Sequence, residues 1–520
     1  MKTIHPCAIS FKSLCIFFLT FIPFGSSSFT KLVGQNGSLE KNIAINPWAI
    51  VELALRNNPE LAIRNLDGEV GADSVKQAKG EFDPELFAEV SYGQRQMTQN
   101  TKDFFASGGD PNTHLLRFFE EKGLRLLAGF GGKLPIGLLY SLEVQVNQLE
   151  NNIIKNNAYN LFLPEVETFY GLRLTQPLLR GGNRNANLAE FFSAQHSATR
   201  ERADVAAARL LLAGDVFSAY ADLLWHTQEI RNREEENQRL EKEIDSVRLR
   251  IERGESSQEA LLSAERNAHA ARDQFLLADL RRRKASLVLR TLAGEEDTDD
   301  IEKLWSMDNT SFPNPSLSRS VLIQRALAEH PALVATRSAY ESEEALVVGA
   351  RNDKSPRLDF DVSVGYLGLA DDVSASTRAV VESDRPEIGA GLRFSYDFGG
   401  HAAKGALGEA LARRRQASLS FVRARRSLVS EIRNTFSEWE AAKIRCEHAT
   451  FALAEAEVEY DEAQDRLGRG LAKSVDTLPH FRGVVSARTR LYKEENARDT
   501  ALARLLTASG IILEHPKTNE

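Results

Sequence analysis

Long apolar runs, basic fields and usable cysteines are all scarce in this chain of 520 residues. A formal net charge of -8 leaves no positive field for a phosphate backbone, which excludes nucleic acid as a partner. Of the three cysteines, Cys7 and Cys15 lie in the first thirty residues. Once that segment is removed, Cys446 stands alone and an internal disulfide is excluded. Aromatics are only 8%. After residue 28 no segment reaches the roughly 20 apolar residues that a helix needs to cross a bilayer, so a membrane location would have to be built from strands. Chemistry-bearing clusters are scarce too. His196, His226, His269, His330, His401, His448 and His480 are scattered, with no pair at metal-ligand spacing on a helix face. Gly129, Gly131 and Gly132 lack the Lys-Ser or Lys-Thr end of a phosphate loop. The expectation is a protein that is not an enzyme and takes no cofactor and no resident metal.

What is present begins with an address. Lys2 and Lys12 precede an apolar run from Leu14 to Phe24, and Ser26, Ser27 and Ser28 supply small residues for cleavage, so residues 1–28 read as a secretory signal peptide. Leu14 before Cys15 is not the small residue of a lipoprotein site.

The rest repeats itself. Ala54, Leu55, Pro59 and Leu61 recur as Ala326, Leu327, Pro331 and Leu333, and Pro84, Leu86, Val90 and Gly93 as Pro356, Leu358, Val362 and Gly365. Farther on, Arg253 and Gly254 recur as Arg469 and Gly470, and Leu289 and Gly294 as Leu505 and Gly510. The offset changes from 272 to 216, so the first copy carries 56 extra residues, between about 94 and 167. The copies span 45–294 and 317–510, with a linker over 295–316 and a tail over 511–520.

Within each copy, period-2 alternation marks two strands. They are Leu86 to Tyr92 and Tyr170 to Leu174 in the first, and Leu358 to Tyr366 and Ile388 to Phe398 in the second. The period then becomes about 3.5, as in Leu212, Val216, Ala219, Leu223 and Ile230 or Leu453, Ala456, Tyr460, Ala463 and Leu467, which are coiled-coil seams. One helix from about Asn183 to Arg253 would be about 105 Å long. Shorter helices over Pro47 to Gly80 and Gly254 to Gly294 would together match it. The second copy offers the same set over Ser316 to Ser355, His401 to Arg469 and Gly470 to Gly510. This predicts a wall in which one long helix runs beside two stacked half-length helices, the strands at one end and the glycine turns at the other.

Four strands cannot close a barrel, and open edges are forbidden in lipid. The fold class expected is therefore mixed and mainly α: a trimeric transmembrane β-barrel, four strands per chain, continuing into a long α-helical coiled-coil barrel. A soluble periplasmic coiled-coil adaptor or scaffold is the rival, and it leaves the two-faced strands unexplained. The extra residues include Tyr140, Leu142, Val144 and Val146 alternating with polar neighbours, a further strand that either extends a hairpin above the outer surface, the preferred reading, or joins the barrel wall.

Three motifs resemble the TolC-type outer-membrane efflux proteins: Glu52 to Pro59 (ELALRNNP), Leu172 to Leu178 (LRLTQPL) followed by Gly181 and Gly182, and the Arg-Gly turns at 253 and 469. The resemblance implies a homotrimer in the outer membrane with its helical part in the periplasm. It implies that the duct docks on a periplasmic adaptor protein and an inner-membrane RND or ABC transporter, with Arg253, Gly254, Arg469 and Gly470 at the adaptor-facing tip. It also implies an acidic ring at the narrow periplasmic end, which falls on Asp476 with Lys473 beside it. The family's second acidic position falls on Pro479, its basic bracing position on Ala472, and its first-copy acidic position on Ala260 beside Glu259, all departures from the pattern.

Overall fold

The computed structural model describes residues 46–98, 100–106, 118–152, 162, 164–295, 318–383 and 386–513. The expected signal peptide and nearly all of the expected linker lie outside them. The first expected helix is two: α1 (Pro47–Asn57) and α2 (Pro59–Lys79). The residue before a proline disfavours helical backbone, and Asn58 sits at φ -66, ψ 120. Its side chain then caps α2, accepting from the Leu61 N–H at 3.1 Å. After β1 (Glu85–Thr98) and a short α3 (Thr101–Ala106) come three more strands and the four-residue α4 (Arg184–Asn187), followed by the long α5 (Ala189–Glu252) and α6 (Gln258–Ala293). The second half has the same break at His330, φ -63, ψ 125, between α7 (Arg319–Glu329) and α8 (Pro331–Asp353). It continues through β5 (Arg357–Ala370), α9 (Val373–Val381) and β6 (Pro386–Ser395) to α10 (His401–Gly468) and α11 (Ser474–Ala508).

The helices stand in columns. α5, with 64 residues, is about 96 Å long and touches α2 and α6 on one side and α8 and α11 on the other. α10 packs on α8 and α11. Each pair of shorter helices shares a column, as shown where Asn58 Nδ2 donates to the Leu292 carbonyl at the end of α6 at 3.0 Å. The wall is one helix thick except where α1 and α7 add a second layer. There the dry core gathers: Ile50, Val51 and Ala54 of α1, Leu322 and Ala326 of α7, and Val216, Phe217, Tyr220, Leu289, Ile432, Leu502 and Leu505 from the columns. Ile512 of the expected tail is fully buried in the same core.

The expectation of four strands per chain is corrected by the sheet, which among the described residues has six, in the order β1 to β6 with every neighbour antiparallel. β1 (Glu85–Thr98), β4 (Glu165–Pro177), β5 (Arg357–Ala370) and β6 (Pro386–Ser395) are the four read from the sequence. β2 (Phe118–Lys133) and β3 (Leu139–Asn151) are the extra residues of the first copy. They join the sheet between β1 and β4 rather than rising beyond it as a hairpin. The physical reason is their pairing: every residue from Glu121 to Lys133 has a partner on β3, and Glu85 to Thr98 pair along β2.

Candidate functional site

Period-2 geometry combined with the register puts one row of side chains from all six strands on a common face. That face carries Leu86 and Val90, Leu126 and Phe130, Leu142 and Val144, Leu172 and Leu174, Phe360 and Val364, then Ile388 and Leu392. Many of these are exposed: Leu86, Val90, Ile388 and Leu392 all show about 70% of their surface. An uncovered apolar band of this extent on a sheet suits lipid, not water.

The opposite face is polar and laced by ion pairs between strands. Arg173 meets Glu143 at 3.6 Å and Arg393 meets Asp361 at 3.7 Å, while Thr175 donates to Asp361 at 2.7 Å. Glycines on this face are filled by neighbouring rings: a Cβ on Gly129 would collide with Phe87, and one on Gly171 or Gly365 with Phe169. At the outer end of the apolar face, α9 lies against β4 and β5. Its Ser376 hydroxyl bonds that of Thr168 at 2.7 Å, and Gly368 admits the α9 backbone where a side chain would strike the Ser376 carbonyl.

The far tips of the helices are built alike in the two halves. Gly254 (φ 75) closes α5 by bonding Ile251 at 2.9 Å, and Glu255 bonds Arg250 at 2.8 Å. Gly470 (φ 73) closes α10 by bonding Leu467 at 3.0 Å, and Leu471 bonds Arg466 at 2.9 Å. Left-handed backbone after the last turn is why glycine stands at both positions. Arg253 and Arg469 are the residues that end the two helices, and Leu471 beyond them is 76% exposed. Asp476 lies in the first turn of α11, exposed, its Oδ2 accepting from the Lys473 N–H at 2.8 Å. Pro479 follows inside the same helix.

Buried polar and charged groups also line the seams between the columns. Asn232 of α5 donates to the Val485 carbonyl of α11 at 2.9 Å and to Thr489 at 3.0 Å. Burial pushes the Asp499 carboxyl up, opposed by Arg498, which bonds it at 2.8 Å. The hydrogen bond from His226 holds the Glu229 carboxyl below its ordinary range, against the opposite pull of burial. Among the described residues no group of three or more metal-ligating side chains gathers, and no helix is long and apolar enough to cross a membrane.

The profile of the outer membrane efflux protein family matches residues 136–295 and 322–511. No curated protein matches. Among solved structures, the outer membrane channel CmeC of Campylobacter jejuni is similar with a TM-score of 0.61 at 15% identity, covering 92% of this chain and 90% of that one. The outer membrane protein VceC of Vibrio cholerae gives 0.62 at 16%, covering 89% and 96%. The MtrE outer membrane channel of Neisseria gonorrhoeae, in its open state, gives 0.60 at 16%, covering 89% and 88%. At these identities the likeness is one of fold.

Proposed function

Since the chain belongs to the outer membrane efflux protein family, we propose that it is one protomer of a homotrimeric exit duct that passively conducts substrates out of the cell. In this reading it receives them from a periplasmic adaptor protein and an inner-membrane pump of the RND or ABC type. The observation that carries the reading is the coincidence of two kinds of open flank. Among the described residues β1 and β6 are unpaired on their outer edges. β1 follows the α2 column and β6 leads into α10, and those two columns also end the helical wall. Both expose apolar side chains: Ile63, Leu66 and Val70 of α2 with Leu276 and Leu280 of α6, and Leu419, Ile444, Phe451 and Val458 of α10. Neighbouring copies would close sheet and wall together, which the ban on open edges in lipid demands.

Three copies of the tip would bring three Asp476 carboxylates toward one axis, where they would attract cations and repel one another. Lys473 stands beside them. The turns at Arg253–Gly254 and Arg469–Gly470, with exposed Leu471, are the surface offered to the adaptor.

The experiment is extraction of the mature chain from outer membranes, followed by mass measurement, negative-stain imaging and planar-bilayer recording. Trimers with a detergent belt, a tail of about 100 Å and ion conductance support the reading. A water-soluble monomer or a rod without a belt would sink it.

A further inference from the structure

The six-stranded sheet is wider than four strands need to be, and it stands on only four helical columns. We infer that the hairpin β2–β3 is part of the membrane wall, so that three copies close an 18-stranded barrel, β1 of each against β6 of the next, whose bore is no narrower than the helical duct feeding it. The inference rests on the trimeric duct reading and adds to it the identity of the wall and the width of the exit.

Three observations carry it. The first is facial continuity. Leu124, Leu126 and Phe130 of β2 and Leu142, Val144 and Val146 of β3 extend the apolar band from Val90 on β1 to Tyr170 and Leu172 on β4. On the other face Arg125 donates to Gln145 at 3.3 Å, and Glu143 pairs with Arg173 on β4. The face turns polar only at its outer end, at Glu120, Lys122, Gln148 and Glu150, and a hairpin standing in water above the membrane would have no use for the continuous apolar stretch below them.

The second is height. The turn between β2 and β3 reaches the base of the sheet, where it is tied to the start of the long helices. Asn187 Nδ2 donates to the Pro135 carbonyl at 3.2 Å and to Gly181 at 2.8 Å, and Gln176 donates to Ile136 at 3.3 Å. Lys133 reaches Glu81, just past the end of α2, at 2.6 Å. The hairpin therefore runs the full height of the sheet.

The third is circumference. Strands about 4.8 Å apart and tilted about 40° give six of them about 37 Å of wall, and four only about 25 Å. Four helical columns about 9 Å apart take about 36 Å. At that tilt six strands match the four columns below them, whereas four would need a much steeper tilt to span the same arc. Closed over three copies, 18 strands make a backbone ring about 36 Å across, against about 24 Å for 12. After side chains are allowed for, the wider ring leaves an aqueous channel of the kind seen at 16–18 strands. Its lumen face carries Glu89, Arg125, Glu143, Arg173, Asp361 and Arg393, so the cargo it suits is a bulky hydrated polar solute.

The test uses the full mature chain in lipid nanodiscs. Electron cryo-microscopy of the unaltered protein counts the strands at the membrane. In a Cys446→Ala background, Val144→Cys, Gln145→Cys, Val146→Cys and Asn147→Cys are exposed one at a time to a charged, membrane-impermeant maleimide. Eighteen strands, with labelling at 145 and 147 and its loss at 144 and 146, is the expected result. A trimer with 12 strands in its wall, or equal labelling at all four positions, overturns the inference and leaves the duct reading standing. A particle that is not a membrane-embedded trimer overturns both.

Discussion

His330 offers a perturbation with its own control inside the same chain. It ends α7 and caps α8, its Nδ1 accepting from the Ala332 N–H at 3.2 Å. Asn58 holds the corresponding place in the first copy and accepts from the Leu61 N–H through its amide oxygen. An imidazole can accept only while Nδ1 keeps its lone pair, whereas an amide does not titrate. Burial pushes the His330 pKa below its ordinary 6.5, partly offset by a hydrogen bond with the Thr507 backbone. As pH falls the unfolded chain takes the proton first. The stability tied to this group is therefore present in full above about pH 6.5 and is lost as pH drops below it toward the folded value. A side-chain cap is worth about 1 kcal/mol, or about fivefold in the local opening constant. Hydrogen exchange read by mass spectrometry, corrected for intrinsic rate, should show the amides at the start of α8 losing about that factor of protection between pH 7.5 and pH 5.5. Those at the start of α2 should hold, and His330→Asn should make the two breaks behave alike. Equal loss at both breaks, or a His330→Asn chain that keeps the pH dependence, would refute the reasoning.

At the tips, Gly254→Ala and Gly470→Ala should each cost about 1 kcal/mol for left-handed backbone alone, because no atom lies within 4 Å of the added carbon; thermal melts of the two variants should agree, and a much larger loss in one would mean that its turn makes contacts beyond its own chain. Leu505, fully buried, should cost roughly 2–5 kcal/mol as Leu505→Ala. Phe451→Asp on the open face of α10 should instead leave helix content unchanged and convert trimers to smaller species on sizing in detergent; intact trimers would remove that face from the interface. Asp476→Ala should lower cation selectivity in bilayers, and unchanged reversal potentials in a salt gradient would take Asp476 out of the aperture.

Much of this could be read from spacing because the two copies share backbone requirements rather than merely residues. Pro59 and Pro331 break their helices by the same clash, and Gly254, Gly470, Gly294 and Gly510 all hold positive φ. β3 was legible as Tyr140 to Val146, but β2 was not. Leu127 sits on its polar face, and Gly123, Gly129 and Gly131 blank the alternation that would have marked it. Their space is taken in part by the Phe87 ring, a cross-strand fact absent from local sequence. Direction still carried the missing information. β1 leaves the helices and β4 returns to them, so a single inserted strand would deliver the chain to the wrong end, and one visible strand required a second. α9 was hidden by its brevity, although Asp372, accepting from the Ala375 N–H at 2.9 Å, is an ordinary capping signal. The tip residues were legible as turns because glycine geometry is local. What Asp476 faces depends on other copies of the chain.

A wall one helix thick also constrains how the protein can fold. Each column is wet on its inner and outer sides, so its apolar side chains must point sideways into the next column, and the two end columns have one side with nothing to meet. Leu276, Leu277, Leu280, Leu287 and Val288 on α6, and Leu419, Val422, Ile444, Phe451 and Val458 on α10, are left exposed for that reason. At about 1.5 kcal/mol for each such side chain taken out of water, one interface recovers on the order of 15 kcal/mol. That is as large as the roughly 4–15 kcal/mol cost of association, and the sheet edges add to it. The dry core around α1 and α7 holds the columns at one level only, and farther along only small seams such as Leu240, Val247, Ala442 and Val484 are buried within the chain, so in the trimeric duct proposed above the neighbouring copy would supply the rest. For that trimer folding and assembly are expected to be one transition, with a midpoint that rises with protein concentration in a thermal melt; a midpoint independent of concentration would refute the coupling.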